Sequence, residues 1–480
     1  MKGRPRPGKN GTSSSKPGKR TRLAPKDPRL RTGYRGFCPL TSQQGELLGG
    51  GGLVERRPFE ELDPASFFEQ FVLERRPLVI RTGGAPAALE ALFGLRGEAA
   101  RWASPGHEGT AAMCLGPAGK CQVEVERRAR TSQFFGQQDA GTREITTLGH
   151  FCKEIDQGNE LAYLTTQALP EDARGCPKAL APPHVQSLLD GAETLRPKLV
   201  SGLAPVQYNL WFGRSQEGSS SGLHHDFHDN IYVLLRGRKE FRLFSPRCLD
   251  ILRPVGVARG RAKLHPNGLI TYIPGVRSDG APVSLARAWS GEKKGAPNCS
   301  DEEEAELDQL LTDAMDAGVD DGHGPNESKE SPLPDSFCHV STCKEGRAPI
   351  PSSLRGRHLT AELTVGDLLY LPASWFHEVI SYGGDAGGHL ALNLWMAPPR
   401  MGSSIDKPYE DGFWDGLYCS LEKAWRRQPQ AADQNAPRQD DASRRPKSSR
   451  RPRGKARTLW THRKQLPPRK RSARVRQRRP

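Results

Sequence analysis

The sequence predicts a mainly β protein with flanking helices, its short strands closed into a double-stranded β-helix (a jelly-roll) between disordered basic ends. Three observations carry this. Strand-length runs rich in aromatic and β-branched residues recur through the middle of the chain, as VQYNLWFG, NIYVLL, EFRLFS, DLLYLP and HLALNLWM, with turn residues between them. Many short strands with turn signals between them favour a sandwich or barrel over a parallel α/β sheet. Finally, the two ends are too rich in Gly, Pro, Ser, Lys and Arg to build a core.

In chain order, residues 1–52 read as a flexible basic lead-in closed by the run Gly49 to Gly52. A folded unit is expected over 53–425. It opens with a short strand, a helix capped by Asp63 or Ser66 with Phe67, Phe68, Phe71 and Val72 on its apolar face, and the strand PLVI. Helical patterns and short strands follow, including QVEVERRAR at 122–130 and ELAYLTTQAL at 160–169. NIYVLL and EFRLFS flank Arg236-Gly237-Arg238-Lys239, a compact glycine turn, and are expected to pair as an antiparallel hairpin. Order fades across a long, partly acidic insertion at about 251–360, a length that marks either a segment with its own role or a disordered one. Strands resume at AELTV, DLLYLP, HEVISY and HLALNLWM. A helix over 409–425 then aligns Phe413, Leu417 and Leu421 on one stripe, a surface through which two chains could pair. Residues 426–480 read as a disordered basic tail.

The net charge of +16 suggests a nucleic-acid binder until it is located. Residues 442–480 hold 17 Lys or Arg and no acid, and residues 1–35 hold 12 against Asp27 alone, so residues 36–441 carry 16 − 17 − 11 = −12. Ten of those acids lie in 301–321. The folded body is therefore not a basic, duplex-gripping surface. The ten cysteines are scattered without a C-x-x-C pair, and neither a signal peptide nor an apolar run of 18 residues is present. This favours reduced thiols inside the cell and no membrane association. Cys338, His339 and Cys343 lack the second pair a zinc site requires and read as loop residues.

The chemistry concentrates in SGLHHDFHDN, Ser221 to Asn230. In a strand, residues i and i+2 share a face, so His224 and Asp226 point together and form half of a divalent-metal site. His377, in GDLLYLPASWFHEV, returns at the start of a later strand and supplies the third ligand. Two histidines and a carboxylate on one side of an ion leave coordination positions open, the arrangement of non-haem Fe(II) oxygenases. Taken alone the cluster also reads as a solvated turn. His225 points to the opposite face, His228 lines the site, and Asp229 is assigned to solvent or turn chemistry. A co-substrate dicarboxylate would need a buried cation, and Lys239, just past the glycine turn, can reach inward.

GLHHDFHDNIYVLLRGRKEFRLFSP and LTVGDLLYLPASWFHEVISY, followed by LALNLWM, resemble the Jumonji-C (JmjC), cupin-like Fe(II)- and 2-oxoglutarate-dependent oxygenases. The likeness is nearest to small hydroxylases similar to lysyl-hydroxylase-like members. It spans roughly Leu53 to Trp425 outside the insertion, and the motifs keep the family's order: H-x-D, the asparagine four residues after the aspartate, G-x-K and the distal histidine. The resemblance implies that His224, Asp226 and His377 bind Fe(II) and that Lys239 binds the distal carboxylate of 2-oxoglutarate. Ser221 stands where the family often has a threonine donating to that carboxylate. Tyr163 and Asn230 match positions that contact the co-substrate, while Asn393 and Trp395 line the same pocket. Tyr163 reads equally well as a packed strand aromatic. The implied reaction uses O2 and 2-oxoglutarate, yields succinate and CO2, and hydroxylates a protein side chain.

Histone lysine demethylation, tRNA-base hydroxylation and a catalytically inactive RNA- or protein-binding scaffold are the rival readings. Paired cysteines of chromatin-reader zinc modules are missing from the sequence. Clusters such as PRKRSARVRQRR resemble nuclear or nucleolar targeting signals and also RNA-binding arms; a cytoplasmic protein with a solvated tail is the plainer alternative.

Overall fold

The computed structural model describes residues 52–130, 142–173, 175–290, 334–338, 352–354, 356–384 and 387–427. The basic ends, the acidic run 301–321, His339 and Cys343 lie outside these residues. Seventeen strands occur among the described residues: β1 (Gly52–Leu53), β2 (Glu55–Pro58), β3 (Leu78–Arg81), β4 (Gln122–Arg127), β5 (Thr142–Thr147), β6 (Ala162–Leu164), β7 (Pro205–Gly213), β8 (Ser215–Ser220), β9 (His224–His225), β10 (Asp229–Arg236), β11 (Arg238–Phe244), β12 (Lys263–Leu264), β13 (Ile270–Thr271), β14 (Leu359–Leu363), β15 (Leu368–Leu371), β16 (Phe376–Gly383) and β17 (His389–Met396).

Two antiparallel four-stranded layers face each other. One runs β15-β10-β17-β7 and the other β14-β11-β16-β8, with β9 also on β16. The chain passes back and forth between them, which is the expected jelly-roll. The first layer is extended by β3 and β2 at one edge and by β6, β4 and β5 at the other.

Alternation along the strands explains the sequence patterns. On β17, Leu390, Leu392 and Leu394 face a helical layer that contains Phe67, Phe71, Leu89, Phe151 and Phe413, whereas Ala391 faces into the barrel against Tyr232, Leu234 and Leu369. Both faces are covered, so HLALNLWM is apolar almost throughout. Asp63, rather than Ser66, caps the first helix; its Oδ1 accepts from the amides of Ala65 and Ser66. The strand expected over 160–169 is confined to Ala162–Leu164, because the Gln167 side chain takes over pairing with β4, accepting from Glu124 N and donating to Glu124 O.

Two expectations need correction. First, β10 and β11 do not form a hairpin: β10 pairs with β15 and β17, β11 with β14 and β16. Gly237 (φ +79°) turns the chain across the barrel edge instead, and a Cβ there would lie 2.4 Å from Tyr382 O. Second, the insertion does not simply lose order: its described residues are structured. Residues 249–290 form short helices and the β12–β13 pair, and Leu252, Ile270, Tyr272, Cys338 and Leu354 pack with Leu223, Phe244 and Phe376 beside β9 and β16. Cys338 is therefore a buried core thiol, its pKa raised by burial, rather than a loop residue. The C-terminal helix, Phe413–Arg427, buries Phe413, Leu417 and Leu421 in its own chain, so this stripe is already spent within one protomer.

Candidate metal centre and co-substrate pocket

His224, Asp226 and His377 converge, with one ligand atom from each lying within 4.8 Å of the others. Strand pairing brings them together: His224 on β9 sits opposite His377 on β16, and Asp226 follows in the connection to β10. Both imidazoles are held by their far nitrogens. His224 Nδ1 donates to Gly222 O and His377 Nδ1 to Trp375 O, each at 2.9 Å. A carbonyl only accepts, so Nδ1 carries the proton and Nε2 presents its lone pair to the site. His377 Nε2 lies 3.8 Å from Asp226 Oδ2. Burial pushes the His377 pKa down to about 4, with His224 adding to the effect, so the ring is neutral, as a metal ligand must be. This donor set fits a divalent transition metal.

Lys239 is the second part of the site. On β11 it pairs with Ser381 of β16, while Leu243, four residues along, pairs with His377. All four side chains share one face, so Lys239 points into the barrel roughly 13 Å along the strand from the metal end, at ~3.3 Å per residue. It is 1% exposed, its Nζ donates to Ser381 Oγ at 2.8 Å, and no carboxylate among the described residues pairs with it. Burial pushes its pKa down to about 7. A buried lysine without a counter-ion is a receptor for an anion.

Of the remaining expected residues, Tyr163 is buried near the Ser381 hydroxyl, with its ring beside Trp211 and His389, and burial raises its pKa. Asn230 and Asn393 lie on the inner face and are linked: Trp211 Nε1 donates to Asn393 Oδ1 at 2.9 Å, and Asn393 Nδ2 to Asn230 Oδ1 at 3.0 Å. Trp395 stacks on His228, ring centroids 5.3 Å apart. Trp395 Nε1 and Asn209 Nδ2 are buried donors without a partner, as expected where a polar ligand completes the set. Ser221 departs from its expected role: its hydroxyl accepts from Val379 N and donates to Gly222 O, both at 3.0 Å, and the hydroxyl that meets Lys239 belongs to Ser381. Alternation from His377 through Val379 to Ser381 could have revealed this.

The other members of the histidine run have distinct places. His225 points away from the metal, with Nε2 2.6 Å from the Tyr272 hydroxyl, and burial pushes its pKa down to about 3. His228 lines the site, and burial pushes its pKa to about 4. Asp229 is not solvent or turn chemistry. It is wholly buried, lies 2.7 Å from Arg75 Nη2, and accepts from Arg75 Nη1, Tyr370 Oη and Ala373 N. Arg75 O in turn accepts from Trp375 Nε1. The ion pair thus ties the connection bearing Asp226 to the loop that precedes His377, a role hidden from sequence because Arg75 lies 154 residues upstream. Nearby, Ser374 N donates to Asp226 O and Ser374 Oγ accepts from Ile270 N. Phe337, from the far end of the insertion, stacks flat on the His224 ring at 4.7 Å.

Comparison with known proteins identifies the family. A family profile described as a cupin-like domain matches residues 64–400. The chain is 27% identical to the JmjC domain-containing protein 4 of Schizosaccharomyces pombe, over 85% of this chain and 98% of that one. It is also 24% identical to the lysine-specific demethylase JMJ32 of Arabidopsis thaliana, over 40% of this chain and 42% of that one. Fold, ligand order and sequence likeness coincide, and the chain belongs to the cupin-like family of JmjC type, whose members are generally Fe(II)- and 2-oxoglutarate-dependent oxygenases.

Proposed function

We propose that this protein is an Fe(II)- and 2-oxoglutarate-dependent dioxygenase that hydroxylates a side chain of a protein substrate. The observation that carries this is the pairing of a two-histidine, one-carboxylate cluster with a buried lysine lacking a counter-ion on the same inner face of one barrel. His224 Nε2, Asp226 Oδ2 and His377 Nε2 would hold the metal, and Lys239 with Ser381 would hold the far carboxylate of 2-oxoglutarate. Bound iron, O2 and 2-oxoglutarate supply the oxidation: R–H, O2 and 2-oxoglutarate give R–OH, succinate and CO2.

The chain itself provides alignment and dryness. The Trp211–Asn393–Asn230 chain fixes polar groups on the pocket wall, and Tyr232, Phe241 and Val379 exclude water between metal and lysine. The basic segments 1–35 and 442–480 give the chain a nuclear address in this reading, which a fluorescent fusion lacking 442–480 tests by losing nuclear signal.

Purified protein with Fe(II) should convert 2-oxoglutarate to succinate, His224→Ala should not, and a protein substrate should gain one oxygen atom by mass spectrometry. The name of the Arabidopsis relative favours demethylation as a second reading. Formaldehyde release from a methylated lysine would select it, oxygen gain on tRNA would select a nucleic-acid substrate, and RNA binding without turnover would select a non-catalytic scaffold.

A further inference from the structure

At the Lys239 end of the barrel, His389 opens β17. It is wholly buried, and neither ring nitrogen has a hydrogen-bond partner. An imidazole carries at least one N–H, and a buried donor left unmade is costly enough that native interiors keep few. Alternation places the ring on the inner face with Ala391 and Asn393. Glycines on two strands and in the β10–β11 turn make room for it. A Cβ on Gly213, its partner in register, would lie 3.2 Å from His389 Cε1; one on Gly237 would lie 2.8 Å, and one on Gly383 2.9 Å, from His389 Cβ.

The surroundings suit an anion. Tyr163 faces the ring at 5.7 Å, and the charges of Lys239 and Arg128 both act on it. Burial first, then those charges, holds its pKa well below the ordinary value, so the ring stays neutral. A neutral donor adds a hydrogen bond beside Lys239 without adding a second positive charge that would repel it.

Building on the oxygenase reading, we propose that His389 is a co-substrate-binding residue whose ring N–H donates to the far carboxylate of 2-oxoglutarate alongside Lys239 and Ser381. Hydrogen bonds to charged groups are the stronger ones, so losing this donor should weaken 2-oxoglutarate binding by about 10- to 100-fold.

The test uses the full chain loaded with Mn(II) and calorimetric titration with 2-oxoglutarate and with 2-oxobutyrate, which keeps the keto acid but lacks the far carboxylate. His389→Leu should have its preference for 2-oxoglutarate cut by that factor while binding Mn(II) and 2-oxobutyrate like wild type, and His389→Gln, which keeps a donor, should recover much of it. Ring 15N spectra of the unaltered protein add an independent readout: one histidine should shift on adding 2-oxoglutarate and not 2-oxobutyrate, and that signal should be missing from His389→Gln. An unchanged preference in His389→Leu, or equal weakening for both acids, overturns the assignment. Wild-type protein that binds neither acid instead overturns the oxygenase reading, and this inference falls with it.

Discussion

Replacing Asp229 by Asn tests how the metal cluster is held together. The side chains of Arg75 and Asp229 are 2% and 0% exposed, so the substitution strands a guanidinium away from water. Breaking a buried pair in this way costs about 3–5 kcal/mol. With a urea m-value of ~3 kcal/mol/M, the unfolding midpoint should fall by about 1–1.7 M. Asn keeps one oxygen for Ala373 N and offers an N–H to the Tyr370 hydroxyl, so the lost charge dominates. The double variant Arg75→Met with Asp229→Asn removes both charges and should regain most of the loss, giving a coupling of roughly 2–3 kcal/mol. Metal affinity, read by Co(II) absorption, should weaken in Asp229→Asn even where the protein remains folded, because Ala373 N no longer has a charged anchor. A single variant within ~1 kcal/mol of wild type, or a double variant as unstable as the sum of the singles, would refute the view that an uncompensated charge is the cause.

Three further outcomes follow from the same geometry. Lys239 is neutral above its depressed pKa of about 7, so 2-oxoglutarate affinity measured with Mn(II) should fall as pH rises through that value, and Lys239→Met should bind weakly at every pH without that slope. Phe337→Ala removes the ring stacked on His224; by the usual worth of an aromatic pair, metal affinity should drop about 3- to 10-fold, checked by Co(II) titration. Gly237→Ala combines positive φ with a contact of 2.4 Å to Tyr382 O, so it should lower the thermal midpoint and reduce soluble yield far more than Gly260→Ala, where φ is +71° but a Cβ meets open space.

The triad was legible in sequence because its chemistry depends on local alternation: His224 and Asp226 two apart, then a histidine opening a later strand. The sequence also points Lys239 inward, but by way of a hairpin that the fold does not contain. Its direction comes from pairing with Ser381 on β16, and the turn at Gly237 moves the chain between sheets rather than folding it back. Short glycine turns look alike in both cases, since the pairing partners lie more than 100 residues away. The role of Asp229 is hidden in sequence for a similar reason. An acid beside histidines looks like a turn until Arg75, Tyr370 and Ala373 arrive from distant segments to bury it.

The insertion carries the least legible contribution. β9 is only two residues long, yet it bears His224, and one edge against β16 gives it little to hold its place. The other edge is covered by residues 336–338: His225 N donates to Ser336 O, Cys338 N donates to Leu223 O, and Phe337 bridges to His224. Farther out, Val255 N and Gly256 N donate to Phe337 O and Asp335 O, and Arg259 pairs with Asp335. Two parts of the insertion, separated by the acidic run, therefore hold the ligand strand in a three-stranded arrangement with β16. No periodicity marks such a segment, because its apolar residues are few and each docks singly against Phe244, Phe376 or Leu223. Its physical consequence is that ion binding at His224 would be coupled to the docking of residues 335–338, and the coupling is reciprocal: whatever free energy docking adds to ion binding, ion binding adds to docking.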